Sequence, residues 1–363
     1  MKFAFRADAS VTIGTGHVMR CLTLAERLRS FGADCTFLTR EHEGHLHPHI
    51  EARGFKSLLL APGVAVNRSL TKSVDYRAWL GVEPLKDAME TLTCIGDEYF
   101  DWMVVDHYGL DAVWECAMRS RFRYLLAIDD LANRPHAVDL LLDQNLGKTP
   151  MAYNGLVPST CICMTGPQFA LLRPEFAAVR EKSLARRKLS TVRRLLITMG
   201  GVDAENATGA ILDALALFEK FFELHVTVVL GPSAPWRNQV IEQARTLPFP
   251  AEVLVSVKHM AELMCEADVA IGAAGSTSWE RCCLGLPSVQ LVLADNQRPI
   301  AEALSAAGAA CLVEMNTLST DLYRILDQIF NDNSLLYIMS EAAAKVTDGF
   351  GAERVARQLV RGF

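Results

Sequence analysis

The chain has 363 residues, half of them hydrophobic and 21% charged, with a formal net charge of -6 at pH 7. That length accommodates two ordinary domains, and the charge balance lacks the basic excess of an electrostatic nucleic-acid binder. No apolar run approaches the ~20 residues of a membrane helix, and Arg6 and Asp8 interrupt the opening apolar stretch before a signal-peptide core can form. A cytoplasmic, enzyme-sized protein is the expectation, with neither nucleic acid nor membrane as a partner. Its ten cysteines include no CxxC pair and read as reduced thiols rather than as a disulfide framework or a zinc site.

The first strand-like run, 2–6, leads into Gly14-Thr15-Gly16-His17. Residues 17–29 then place Val18, Cys21, Leu22, Ala25 and Leu28 on one helical face. Gly14 and Gly16 let the backbone turn sharply and approach a ligand, and the helix start behind them offers unpaired N–H groups. A neutral imidazole at His17 facing a ligand is a usable general base. Met19 stands where a dinucleotide fingerprint needs its third glycine, and the Gly-Lys-Ser/Thr ending of a nucleoside-triphosphate loop is missing. No cofactor is expected.

Further strands are expected at 34–38, 56–60, 102–105 and 124–128, then a shorter pair at 138–142 and 160–164, with helical patterns at 83–90 and 111–120. His42, His45, His47 and His49 fall in a polar segment with Gly44 and Pro48, which reads as a solvated loop or short helix rather than a metal site. The basic, core-poor stretch 180–194 (REKSLARRKLSTVRR) reads as an interdomain linker or bridging helix. The strand series then restarts at 195–198, 225–230, 252–255, 269–271 and 288–292. Strands alternating with helices argue for two Rossmann-like, doubly wound α/β domains. The expected division is 1–180, a linker at 181–194, and 195–363, whose last helices can pack back on the first domain. Ligands of open α/β sheets sit at the carboxyl ends of the strands. Both glycine-rich turns fall at such ends, so the ligand is expected in an interdomain cleft.

In the second domain, the strand 195–199 runs into Gly200 and Gly201, whose backbone donors ahead of a helix suit phosphate oxygens. A second small-residue turn holds Gly275, Ser276 and Thr277 at a helix start, with Glu280 one turn further on. Hydroxyl and N–H groups there make an anion seat, and a carboxylate at 280 can accept from a ribose diol. The same residues can instead form a capping box. Past the strand at 288–292, Asn296 and Gln297 can read sugar hydroxyls, unless Asp295 or Asn296 merely caps the next helix.

With these residues in place the chain resembles GT-B-type nucleotide-sugar enzymes, and more closely the UDP-2,4-diacetamido-2,4,6-trideoxy-β-L-altropyranose hydrolases of pseudaminic acid biosynthesis. The resemblance rests on Arg6-Ala7-Asp8-Ala9-Ser10 with Ile13 to His17, Val105-Asp106-His107-Tyr108-Gly109, Ile128-Asp129-Asp130, Tyr153 to Pro158, Phe169 to Phe176, Met199 to Asp203, and Gly275 to Glu280. It implies that His17 activates water and that the second domain holds UDP. It further implies Arg173 near the diphosphate, Val257 and Met260 near the uracil, Ser276 and Thr277 near the phosphates, Glu280 at the ribose, and Asp106 and Tyr108 on the sugar side. Between Leu46 and Trp79 no motif matches. The sequence has no Asp-x-Asp motif of the kind metal-dependent glycosyltransferases use, and no metal is expected. Asp8 and Asp106 are both candidates to orient His17. A transferase passing the sugar to a hydroxyl acceptor, and a non-catalytic nucleotide-sugar binder, are the rival readings. The oligomeric state is left open.

Overall fold

The computed structural model of the protein describes residues 1–63, 76–188, 191–217, 224–232 and 234–362. Much of the unmatched segment between Leu46 and Trp79, namely 64–75, lies outside the described residues. The chain divides into two compact units: Met1–Leu171 with Gly351–Phe363, and Leu172–Phe350.

The first unit contains β1 (Lys2–Ala7), α1 (Gly16–Ser30), β2 (Asp34–Arg40), α2 (His47–Ala52), β3 (Lys56–Leu60), α3 (Pro84–Ile95), β4 (Phe100–Asp106), α4 (Ala112–Met118), β5 (Phe122–Ile128), β6 (Leu140–Asp143) and β7 (Ile162–Thr165). The second contains α5 (Pro174–Arg187), β8 (Arg194–Thr198), α6 (Ala207–Ala216), β9 (His225–Leu230), α7 (Arg237–Arg245), β10 (Ala251–Val255), α8 (Met260–Glu266), β11 (Val269–Ala273), α9 (Thr277–Cys283), β12 (Ser288–Leu291), α10 (Arg298–Ala306), β13 (Ala310–Val313), α11 (Leu318–Asn331) and α12 (Asn333–Ala344). The last helix, α13 (Gly351–Arg361), belongs to the first unit.

Both sheets are parallel, in the orders β3-β2-β1-β4-β5-β6-β7 and β10-β9-β8-β11-β12-β13. Such sheets bury both faces, and the strands show it. Phe3 and Phe5 of β1 join Phe37, Trp102 and Val104 under α1 and α13, whereas Ala4 joins Leu38, Met103 and Val105 on the opposite face with Trp114 and Met118 of α4. In the second unit Leu195, Ile197, Val226 and Val228 pack with Ile211 and Leu212 of α6 and Leu322 and Leu326 of α11.

The boundaries differ from those expected at 180 and 194. The basic stretch is largely helix: α5 packs against α8 and α9, and two of its arginines seal helix ends. Arg187 donates to the carbonyls of Met264 (2.9 Å), Ala267 (2.8 Å) and Leu284 (2.9 Å). Arg180 donates to those of Ala344 (2.7 Å), Thr347 (3.1 Å) and Cys283. The last carbonyls of a helix lack intrahelical partners, and a guanidinium carries its apolar stem inward with it. Burial pulls the Arg187 guanidinium down to about 10.

Candidate active site

In each sheet the strand order reverses between two neighbours, β1 and β4 in the first and β8 and β11 in the second. The crevice outside such a switch point is where doubly wound folds hold ligands.

At the first switch point, the segment from Ser10 to Gly14 is closed on itself. Gly14 N–H donates to the Ser10 carbonyl (2.8 Å), and the Ser10 hydroxyl accepts from the N–H groups of Thr12 (3.1 Å) and Ile13 (2.8 Å). Val11 N–H donates to the Glu43 carbonyl (3.0 Å). Gly14 has φ +81°, a conformation a side chain would strain. His17, the second residue of α1, is thereby fixed over the end of β4. Its Nδ1 donates to Oδ1 of Asp106 at 2.6 Å, and the ring is only 8% exposed. Nε2 is the nitrogen that this pairing leaves over. Of the two candidate carboxylates, Asp106 is the one that holds the imidazole. Asp8 instead accepts from Arg6 Nη1 (2.5 Å) and the Arg40 N–H (2.7 Å), tying the ends of β1 and β2 together.

Around this pair stand Tyr108, which the resemblance puts on the sugar side, and residues to which no motif gave a role. Arg20, one turn after His17, grips Asp106 through Nε and Nη2 (2.5 and 2.6 Å) and reaches Asp130 through Nη1 (2.7 Å). Burial raises the Asp106 carboxyl, but Arg20 and then His17 outweigh it and hold it below the usual carboxylate range. The Tyr108 hydroxyl donates to Asp130 (2.8 Å), and its ring meets His17 edge-on at 4.7 Å. Tyr76 and Trp79 extend the aromatic wall: Trp79 stacks on Tyr108 at 5.8 Å, and Tyr76 lies 4.8 Å from Trp79.

Behind Asp130 lies a shared proton. The buried Tyr153 hydroxyl sits 2.9 Å from Asp143 Oδ2 and 3.1 Å from Asp129 Oδ2. One hydroxyl proton cannot serve two carboxylates. Burial, then Asp130, pushes the Asp143 carboxyl up to about 7, so below that pH a protonated Asp143 can donate to the Tyr153 oxygen while the Tyr153 hydroxyl donates to Asp129. The folded state then holds a proton that the unfolded chain, with an ordinary value of 3.8, has released. This contribution to stability is therefore present at low pH and lost as pH rises towards and through 7. We expect the Tm of the wild type, relative to Asp143→Asn, to fall between about pH 4 and 7; a constant difference on thermal melts across that range would refute the shared proton.

Two of the four clustered histidines turn to different partners. His47, in α2, pairs with the Ser57 hydroxyl (2.8 Å), while Nε2 of His42 lies 3.7 Å from Asp8 Oδ2. His107 Nε2 is also near Asp8 Oδ2, at 3.6 Å. Its Nδ1 accepts from the Gly109 N–H (3.0 Å), so Nε2 carries the proton of the neutral ring and cannot bind a metal. Burial drives this ring down to about 3. Among the described residues no group of His, Cys, Asp and Glu is placed to hold a metal ion.

At the second switch point, Gly200 (φ +92°) follows β8, and Gly231 packs on the Gly201 backbone where a Cβ would collide with it. The first N–H groups of α6 are already taken: Asp203 accepts from Ala207 and Thr208 (2.9 Å each), and Asn206 accepts from Gly209 (3.1 Å). The helix-start donors expected behind Gly200 and Gly201 are thus spent on side-chain caps. Gly275, Ser276 and Thr277 follow β11, and Ser276 makes no side-chain cap. The capping box does not form, because Glu280 turns to Arg173 instead (3.4 Å). Burial raises the Glu280 carboxyl against the pull of Arg173. Arg173 also pairs with Glu175 (2.7 Å). Val257 and Met260 are half-buried after β10. Gln297, not Asp295 or Asn296, is the cap residue of α10 and makes no side-chain cap; its Oε1 accepts from the Leu293 N–H (3.0 Å).

Residues 194–355 match the glycosyltransferase family 28 C-terminal domain. Over 99% of both chains the fold superposes on MurG of Acinetobacter baumannii with a TM-score of 0.69 at 16% identity. The fold is GT-B. Within GT-B proteins the chain is 25% identical over 309 residues, 85% of its length and 97% of the relative's, to the UDP-2,4-diacetamido-2,4,6-trideoxy-β-L-altropyranose hydrolase of Campylobacter jejuni. It is 26% identical over 306 residues to an uncharacterised protein of Methanocaldococcus jannaschii. That match takes in 82% of the chain and 57% of the archaeal protein's own length. The likeness to the hydrolase that the motifs carried extends over most of the sequence. No helix among the described residues is long and apolar enough to cross a membrane.

Proposed function

We propose that the protein hydrolyses a UDP-linked 2,4-diacetamido-2,4,6-trideoxy hexose to UDP and the free sugar, without a metal and with inversion at the anomeric carbon. The observation that carries this reading is the His17–Asp106 pair at a switch point: Asp106 accepts a hydrogen bond from Nδ1–H, and Nε2 is left to accept a proton from water. The oxygen of that water bonds to C1, the bond from C1 to the phosphate oxygen breaks with its electron pair leaving on UDP, and the water proton passes to Nε2. UDP is a weak base, so the departing group needs charge stabilisation rather than a proton. Arg173, Ser276, Thr277 and the loop at Gly200 and Gly201 are assigned to the diphosphate, Val257 and Met260 to the uracil, and Glu280 to the ribose. Asn296 and Gln297, together with Tyr108, are assigned to the sugar; Asp106, expected there from the resemblance, is fully buried with both oxygens held by His17 and Arg20 and serves the base instead. The wall of Tyr76, Trp79 and Tyr108 beside His17 suits the apolar face of a deoxy, acetamido-bearing sugar.

The same base can activate an acceptor hydroxyl, and the family 28 match of residues 194–355 favours keeping a transferase as the second reading. Incubation with UDP-linked diacetamido sugars in ¹⁸O-water, followed by anomeric NMR, separates the two. Hydrolysis gives UDP and free sugar with ¹⁸O at C1 and opposite anomeric configuration in the absence of any acceptor. Turnover only on adding a hydroxyl acceptor establishes the transferase, and tight UDP binding without turnover a nucleotide-sugar binder.

A further inference from the structure

Asp106 has more partners than the orientation of His17 requires. Arg20 presents its fork to both carboxylate oxygens, extends its third nitrogen to Asp130, and holds Nη2 at 3.4 Å from His17 Nδ1. Its side chain is nearly closed off from solvent. A loop tether would need one such bond, not two to the partner of the base, a third to Asp130 and a close approach to the base itself.

We propose that Arg20 is a positioning residue which keeps His17 neutral and protonated at Nδ1 by neutralising Asp106; the assignment rests on the reading of His17 as the water-activating base. A carboxylate buried against an imidazole has two stable arrangements. Either a neutral ring donates Nδ1–H to it, or the ring takes a second proton and forms an ion pair. In a low-dielectric site an uncompensated carboxylate draws the ring towards the ion pair, and an imidazolium has no lone pair on Nε2 with which to accept a proton from water. Arg20 is permanently charged and lies beside Nδ1, so it supplies the cation that the ring would otherwise become. Its planar fork also stops the carboxylate from turning.

Among the described residues the groups facing the ring are few. From α1 comes Arg20; from the end of β4, Asp106; from the segment after β4, Tyr108 and the buried neutral His107; and from the segment ahead of α3, the edge of Trp79 at 6.5 Å. Asp130 acts through Arg20 and the Tyr108 hydroxyl. Cys21 Sγ also approaches Asp106, at 3.7 Å, with a thiol that burial, then Asp106, keeps protonated. Arg20 is thus the fixed cation facing two acids. Without it both Asp106 and Asp130 stand uncompensated.

The test uses the full chain labelled with ¹⁵N-histidine, with His17 assigned by its loss in His17→Asn. At about pH 8 the wild type should show a neutral ring protonated at Nδ1. Arg20→Gln should show imidazolium at the same pH, with kcat lowered about tenfold or more and KM near the wild-type value. Arg20→Lys, which keeps the charge but not the fork, should keep the neutral ring and lose kcat. A neutral Nδ1–H ring in Arg20→Gln overturns the assignment. Should that variant not fold, as judged by circular dichroism, imidazolium or an unchanged kcat in Arg20→Lys overturns it instead. The ring spectra need no turnover. If the wild type hydrolyses no UDP-sugar, the proposed reaction fails while the spectra still decide the role of Arg20.

Discussion

His17→Asn should bind UDP as tightly as the wild type and lose about 10²–10⁴-fold in kcat. The two halves of that expectation come from different parts of the chain. The residues assigned to UDP, from Arg173 to Glu280, all lie in the second unit, whose sheet and core are complete in themselves. His17 lies in the first, where its ring is fixed by Asp106 and enclosed by Tyr108. Asparagine fills part of the imidazole volume and can still donate to Asp106, but it cannot take up a proton near neutral pH. Calorimetric titration with UDP and steady-state release of UDP from the sugar nucleotide measure the two quantities separately. Full turnover in the variant would sink the assignment of the base. Lost UDP affinity would show that the substitution had disturbed the fold, and His17→Gln would then have to replace it.

How much of this could be read from the sequence follows from the range of the forces involved. The parallel strands were legible because burial on both faces leaves continuous apolar runs. His225–Leu230 and Lys56–Leu60 fall where those runs predict, and others, such as Phe100–Asp106, extend the expected run by a residue or two. β13 was not expected, because Ala310–Val313 is four residues long and follows an alanine- and glycine-rich turn that carries no alternation. His17 was legible because its chemistry and the turn before it are local. Asp106 could only be narrowed to one of two carboxylates, since the choice depends on strand order.

Arg20 was not legible at all. Three residues after His17, it reads as the polar side of an amphipathic helix, and its partners lie 86 and 110 positions away in sequence. Arg180 and Arg187 misled for a related reason. An arginine-rich stretch looks solvated until the carbonyls it will meet, at the ends of three other helices, are in place. The expected helix-start donors after Gly200 failed on residues close by: Asp203 and Asn206, both at positive φ, turn back to cap α6 themselves.

The largest expected loss of stability comes from Asp87→Asn, on the order of 3–5 kcal/mol. Asp87, in the first turn of α3, is fully buried under the carboxyl ends of β1 and β2. It accepts from Arg6 Nε (3.1 Å) and Nη2 (2.7 Å), from Arg40 Nη2 (2.6 Å) and from the Trp114 indole (2.8 Å). Both arginines are themselves inaccessible to solvent. Burial works against the Asp87 carboxylate, but Arg6 more than offsets it and holds the group below its usual range. An amide of the same shape leaves two buried guanidinium groups to share Asp8 and the partly exposed Glu90, and turns an NH₂ group towards one of them.

Glu90→Gln is the matched control. It also touches Arg40 (2.7 Å), but its side chain is 27% exposed and solvent can take its place. The expected cost there is at most about 1 kcal/mol. Urea denaturation followed by tryptophan fluorescence reports on this cluster directly, since Trp102 and Trp114 are buried in the first unit. If Asp87→Asn unfolded at the same urea concentration as Glu90→Gln, the cluster would not be what anchors β1 and β2. Arg6 and Asp8 are the residues from which the Ser10–Gly14 turn departs. The same substitution should therefore lower kcat by loosening the platform that aims His17, even at urea concentrations where the variant remains folded.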